Sequence, residues 1–265
     1  MLKYVMRKYL TVFTTTVKEY AAYRLNFLLW RFRAVLNLIV IFFLWNAVLE
    51  KQNTFGNYGK ESLLTYIILV NLIINFVLGT RTAEIAGEIN NGDIINILLK
   101  PVSFFKFYWM RDLADKAVNI FFAILEVALL VYFFKIPLIT PHNILLFIVL
   151  FIVGTLISFF INLMLSFIAF WTTEVWAPRF VFFMVVSFLS GSFFPLDLLP
   201  KPVYYAMLAT PFPYLYYLPT KILVGQTDKI IYFEVLMAFV WLLLAWLLTR
   251  LMWNKGNRNF SFWGR

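Results

Sequence analysis

The chain has no cysteine, a single histidine (His142), and only 13 acidic residues in 265. Without thiols there is no disulfide and no thiolate metal site, and one imidazole excludes a histidine-rich metal centre. No phosphate-binding loop of the form G-x-x-x-x-G-K-[ST] occurs: Gly87 and Gly92 are correctly spaced, but Asp93 and Ile94 stand where Lys and Ser or Thr are needed. There is no H-E-x-x-H and no nucleophile–histidine pair. The chain is thus expected to be no enzyme by itself, with no catalytic residues and no metal. Any energy for its work has to come from another protein or from an ion gradient.

Apolar residues are abundant. They make up 63% of the chain, including 31 Phe, 14 Tyr and 9 Trp, whereas a soluble domain carries about 45–50%. So much apolar surface calls for lipid as the solvent, and an all-α integral membrane protein is predicted. Residues 1–33 hold seven Lys/Arg and one acid, Glu19. That is too charged for a secretory leader, and it predicts a basic amphipathic helix lying on the anionic inner leaflet. Six spans follow, over 34–49 (with a start inside the preceding helix left open), 63–79, 117–134, 144–171, 180–194 and 231–252. Several fall short of the usual ~20 residues, which leaves their ends soft.

Six spans put both termini on one side. With the termini in the cytoplasm, 17 of the 23 Lys/Arg are inside, as the positive-inside rule requires. The net charge of +10 is therefore a signal of orientation and lipid contact, and no nucleic acid is expected.

Two stretches break the hairpin pattern. Between Pro195 and Pro219 lie six of the ten prolines, interleaved with tyrosines. That density forbids a straight span and predicts short broken helices (195–225) dipping into the outer face, with Gly191, Pro195 and Pro200 at their start. The other stretch, Arg81 to Pro101, lies between the second and third spans. Glu84 and Glu88 share a helix face one turn after Arg81. Asn90-Asn91-Gly92 is a helix stop, Asp93 can cap a new helix, and Pro101 ends it. Roughly 10 Å of helix remains between cap and proline. That is a stub lying crosswise to the spans and presenting Ile94, Ile97, Leu98 and Leu99. An amphipathic loop resting on lipid has the same pattern. Farther on, Phe104, Phe105, Phe107, Tyr108 and Trp109 form an interfacial belt, and Arg111/Asp115 and Asp112/Lys116 are spaced to pair along a helix.

Polar seams run inside the spans: Asn71, Asn75 and Gly79 in the second, and Gly154, Ser158, Asn162 and Ser166 in the fourth. Such stripes usually mean close helix packing, and a substrate-lined path is the alternative. Glu126 is the one acid deep in a span. It is either a neutral acid bonded to a neighbouring helix, or a contact for cationic cargo, or a proton-linked gate. No basic residue in another span is an evident partner. Glu234 is expected to reach the interface.

Together these features resemble the permease subunit of ABC-2 type ATP-binding-cassette exporters. The specific part is Glu84-x-x-x-Glu88-x-x-x-Gly92 followed by Ile97-Leu98-Leu99-Lys100-Pro101. Ser190-Gly191-Ser-Phe-Phe194-Pro195, continuing to Pro200, is similar to the family's second motif. The small branch of bare six-span permeases is the nearest in form. The resemblance implies that the segment 80–111 is a coupling helix seated on a separate ATPase, with Glu84, Glu88, Gly92, Ile94, Leu98, Leu99, Lys100 and Pro101 at the contact. It also implies two ATPase subunits carrying ATP and Mg, a second permease, identical or homologous, and a bacterial cytoplasmic-membrane location. The substrate path would run between the permeases, with Glu126, Asn71, Asn75 and Asn162 as candidates. A stand-alone ion-coupled carrier and a lipid-modifying membrane enzyme are the competing readings.

Overall fold

A computed structural model describes residues 2–51, 54–136, 138–226 and 230–259. It is helical almost throughout; the strands among the described residues are a two-residue antiparallel pair, Thr54–Phe55 with Tyr58–Gly59. Among the described residues five helices are long and apolar enough to cross a membrane, and the chain is an all-α multi-pass membrane protein.

The N-terminal region differs from the single interfacial helix expected over 1–33. Helix α1 (Leu2–Ala22) gives way at Tyr23 to α2 (Arg24–Lys51). The backbone stays near-helical through the joint, where Phe27 N–H donates to the Tyr23 carbonyl at 3.2 Å. Arg24, Arg31 and Arg33 thus belong to the first long apolar helix, which starts about ten residues before the expected 34–49 span. Arg31 can sit there because its charge is neutralised inside the bundle, as described below.

Helices α3 (Lys60–Val77), α6 (Phe104–Phe134), α7 (Ile144–Phe167) and α11 (Ile231–Asn259) supply the other long elements. Between α3 and α6 lie the short helices α4 (Glu84–Asn90) and α5 (Ile95–Leu98). The fifth expected span, 180–194, is instead α8 (Trp176–Leu189), with 14 residues. At the helical rise that is roughly 21 Å, against ~30 Å of bilayer hydrocarbon. It stops at the Ser190–Gly191 turn.

After α8 come a 3₁₀ turn (Leu196–Leu198), α9 (Lys201–Leu208), a second 3₁₀ turn (Phe212–Tyr214) and α10 (Tyr217–Leu223). Proline spacing sets these lengths, since each proline removes a backbone donor and blocks a continuous helix. The broken segment is not peripheral: Tyr214, Tyr216, Tyr217 and Leu218 are fully buried. It packs on α7 at Gly154, where a Cβ would stand 2.6 Å from the carbonyl oxygens of Tyr214 and Leu215. Only glycine admits that approach.

Two apolar clusters result. The larger joins α2, α3, α7, α11 and the broken segment. The smaller gathers Ile85, Ile89, Ile94 and Ile97 of α4 and α5 with Phe104, Tyr108, Phe159, Leu163 and Phe167. Phe104 and Tyr108 are therefore core residues rather than an interfacial belt, and Phe104 stacks on Trp253 at 4.1 Å.

Candidate functional site

The Arg81–Pro101 stretch is docked beneath the bundle. Gly92 takes φ +80°, the left-handed geometry that glycine tolerates, and it ends α4. Asp93 does not cap α5 with its side chain. Because α5 has only four residues, one face is all it can bury. Ile94 and Ile97 turn inward, at 1% and 7% exposure, while Leu99 stands out at 80%. Leu98 is half-buried, and Lys100 and Pro101 are exposed. The expectation that Ile94 and Ile97 are presented outward is therefore corrected: they anchor the stub to the bundle.

Both glutamates of the motif face the bundle too. The Tyr108 hydroxyl donates to Glu88. Burial pushes the Glu88 carboxyl above its ordinary range, opposed by that hydrogen bond and by the Arg111 charge. Glu84 accepts from Arg81 at 2.5 Å and from Arg111 at 2.7 Å. Arg111 also reaches Glu19 of α1 at 3.1 Å, which replaces the expected Arg111/Asp115 pair. Asp115 instead accepts from Tyr20 and lies 3.7 Å from Arg81. Asp112 and Lys116 pair at 3.2 Å, fully buried, and Lys116 also donates to the Gly79 carbonyl at 2.5 Å.

This cluster continues into the bundle. Asn119 donates to Asp115 at 3.1 Å and accepts from Arg31 at 3.4 Å. Arg31 donates to Asn75 at 3.2 Å and clasps Glu126 through two nitrogens, one of them at 2.8 Å. Glu126 thus has a basic partner after all. The sequence does not reveal this partner, because Arg31 falls within the stretch that reads as an interfacial helix. A polar ladder runs without interruption from Glu126 through Arg31, Asn119, Asp115 and Arg81 to Glu84.

Beside the ladder is a cavity of about 920 Å³, between the α1–α2 joint, the end of α3, α6 and α8. Its polar lining includes Glu19, Arg33, Asn75, Arg81, Asp115 and Arg179, and its apolar wall includes Trp30, Trp176 and Phe180. The size suits a small-molecule site. Of the candidate path residues, Asn75 reaches the cavity. Asn71 and Asn162 are buried at 6% and 1% exposure, and Glu126, bonded to Arg31, does not line the cavity. The fourth-helix seam packs: Ser158 and Ser166 donate to the Val77 and Thr82 carbonyls, each at 2.7 Å.

On the far side of the bundle, Glu234 is fully buried, contrary to the expected interfacial position. It accepts from the Tyr204 hydroxyl at 2.6 Å and lies 3.7 Å from Lys221. The broken segment's tyrosines and lysine carry the charge into the interior, so Glu234 has no need of the interface. Asp197 accepts from Tyr58, and the Gly191 carbonyl accepts from Tyr66 at 2.7 Å. These bonds tie the segment that starts at Gly191 and Pro195, and passes through Pro200, to α3 and α11.

The chain is thus a multi-pass helical bundle with an apolar stub anchored inward and a cavity beside its polar ladder. The family described as ABC-2 family transporter protein matches residues 35–264, and the chain belongs to that family. No curated protein matches it.

Proposed function

We propose that this chain is the membrane-spanning permease subunit of an ABC-2 type exporter, with the cavity beside α8 forming part of the substrate path. In this reading α8 and the turn after it complete a sixth span, and both termini lie in the cytoplasm of a bacterial inner membrane. The segment from Glu84 to Pro101 is the coupling element. Two ATPase subunits bind ATP and Mg and dock there, and a second permease, identical or homologous, completes the path.

The polar ladder carries this reading. Arg81 touches Glu84 at the head of the stub and lines the cavity wall together with Asp115. A displacement of α4 and α5 by a docked motor therefore reaches the cavity through the Glu84–Arg81 ion pair, with Asp115 3.7 Å beyond it. The stub moves with its neighbours because Ile85, Ile89, Ile94 and Ile97 are packed into one cluster. The exposed Leu99, Lys100 and Pro101 are left for the motor.

The test is co-purification of the chain with an ATPase subunit and measurement of coupled ATP hydrolysis. Leu98→Asp with Leu99→Asp is expected to abolish association or coupling while membrane insertion persists. Full coupled activity in the double variant removes the assignment. Cargo transport by the isolated chain, with no ATPase present, favours the stand-alone carrier instead.

A further inference from the structure

We infer that the cavity accepts an amphipathic anion, with its charged end at Arg179 and Arg33 and its apolar body along the aromatic wall of α2 and α8. This deepens the reading of the cavity as substrate path and rests on it.

The charges of the lining do not contribute equally. Glu19 is taken by Arg81 and Arg111, and Asp115 by Tyr20, Asn119 and Arg81. The acids of the wall are thereby occupied, which leaves little for a cation to replace. The arginines divide differently. Arg81 is surrounded by carboxylates, but Arg179 donates only to neutral acceptors: Asn162 Oδ1 at 3.1 Å, the Asn162 carbonyl at 3.4 Å and Ser166 Oγ at 2.7 Å. Among the described residues no carboxylate lies within ion-pair distance of it. Arg33 stands over the Trp30 ring at 5.5 Å and likewise has no acidic partner among the described residues.

Neutral hydrogen bonds orient a guanidinium without cancelling its charge. Arg179 is half-buried on an apolar helix, where an uncompensated charge is costly. A ligand carboxylate, sulfate or phosphate matches the remaining face of its donor fork. The apolar part of the wall includes Phe27, Trp30, Trp176, Phe180, Phe183 and Met184. Trp176 and Phe180 stack at 5.2 Å and 14° and are largely exposed, forming a flat platform next to Arg179. One anionic end and one apolar platform select an amphiphile over a small inorganic anion.

The experiment uses the full chain in phosphatidylcholine nanodiscs and a dansyl-labelled fatty acid as probe, displaced by decyl sulfate, decyl maltoside or decyltrimethylammonium. Decyl sulfate is expected to displace the probe at a concentration about tenfold or more below the other two. Arg33→Gln and Arg179→Gln should each erase most of that preference and leave displacement by decyl maltoside unchanged. Arg33 is exposed and has no hydrogen bond or ion pair among the described residues, so its variant reports binding even if Arg179→Gln loosens α8. Displacement by added phosphatidylglycerol assigns the anion to membrane lipid. Displacement by decyl sulfate alone assigns it to a non-lipid amphiphile; either outcome supports the proposal. Equal displacement by all three decyl compounds, or an unchanged preference in Arg33→Gln, overturns the anionic class and leaves the path reading standing. Absence of saturable probe binding, or binding that survives the cavity-filling Met184→Trp, overturns the site and the path reading with it.

Discussion

Arg31 of α2 and Glu126 of α6, 95 positions apart, grip each other with two nitrogens against two carboxylate oxygens. Arg31 is 4% exposed, and Asn75 and Asn119 both accept from its third nitrogen. Two charges that would each be costly in hydrocarbon make one neutral unit that pins α2 to α6 beside α3.

Removing one partner leaves the other uncompensated. Arg31→Met or Glu126→Met alone is expected to destabilise the chain by about 3–5 kcal/mol, while the two together cost far less. Thermal unfolding in detergent across the double-mutant cycle measures the coupling. Additive single losses would show that the pair does not act as a unit. A cationic-cargo role for Glu126 requires the ion pair to open, so a stability coupling of this size also weighs against that role.

The stub makes a sharper prediction at two positions two residues apart. Ile97 is buried in the cluster under the bundle and Leu99 is 80% exposed. Ile97→Asp places a carboxylate among Phe and Ile side chains and should lower the yield of folded chain. Leu99→Asp should leave folding intact, within about 0.5 kcal/mol, and impair only docking of the ATPase. Size-exclusion profiles of both variants with and without the ATPase separate the two effects. An equal loss of fold in both places Leu99 in the interior.

How legible this was from the sequence depended on the range of the interaction. Local signals could be read directly: the apolar runs, the Gly92 stop, the proline-broken segment and the Asp112/Lys116 pair at one helical turn. The faces of α5 could not be read, because four residues contain barely one helical period. Arg31–Glu126 and Lys221–Glu234 could not be read either. Nothing in a sequence marks two charges on different helices as partners, and the two unpaired descriptions, a basic interfacial helix and an acid near a helix end, each fit locally. The one available hint was scarcity. With so few acids in the chain, an acid within an apolar run requires a basic residue somewhere at the same depth.

Glu88 links the stub to pH. Its folded carboxyl holds a proton more tightly than the unfolded chain does, because burial outweighs the Tyr108 hydrogen bond and the Arg111 charge. The folded state therefore binds more protons between the ordinary value, about 4.3, and the raised one. Its contribution to stability is fully present below about pH 4.3 and is lost as pH rises through the folded value. Glu88→Gln removes this dependence. The difference in melting temperature between wild type and Glu88→Gln should change across that window and flatten above it. A difference that is constant with pH would mean that Glu88 titrates as an ordinary surface acid.

Gly154 tests the contact between the broken segment and α7. A methyl group there would meet the carbonyl oxygens of Leu215 and Tyr214 at 2.6 Å, and backbone oxygens cannot rotate away as a side chain can. Gly154→Ala is thus expected to cost about 1–3 kcal/mol from overpacking, although alanine is the better helix former by about 1 kcal/mol. The two effects have opposite sign, and crowding by two carbonyls should win. Limited proteolysis within 195–226 should speed up in the variant, because the backbone at Tyr214 and Leu215 must shift off α7 while Tyr204 and Lys221 still hold Glu234. A variant that is more stable than wild type, with proteolysis unchanged, would mean that the helix-propensity gain dominates and that the broken segment does not rest on α7 at this point.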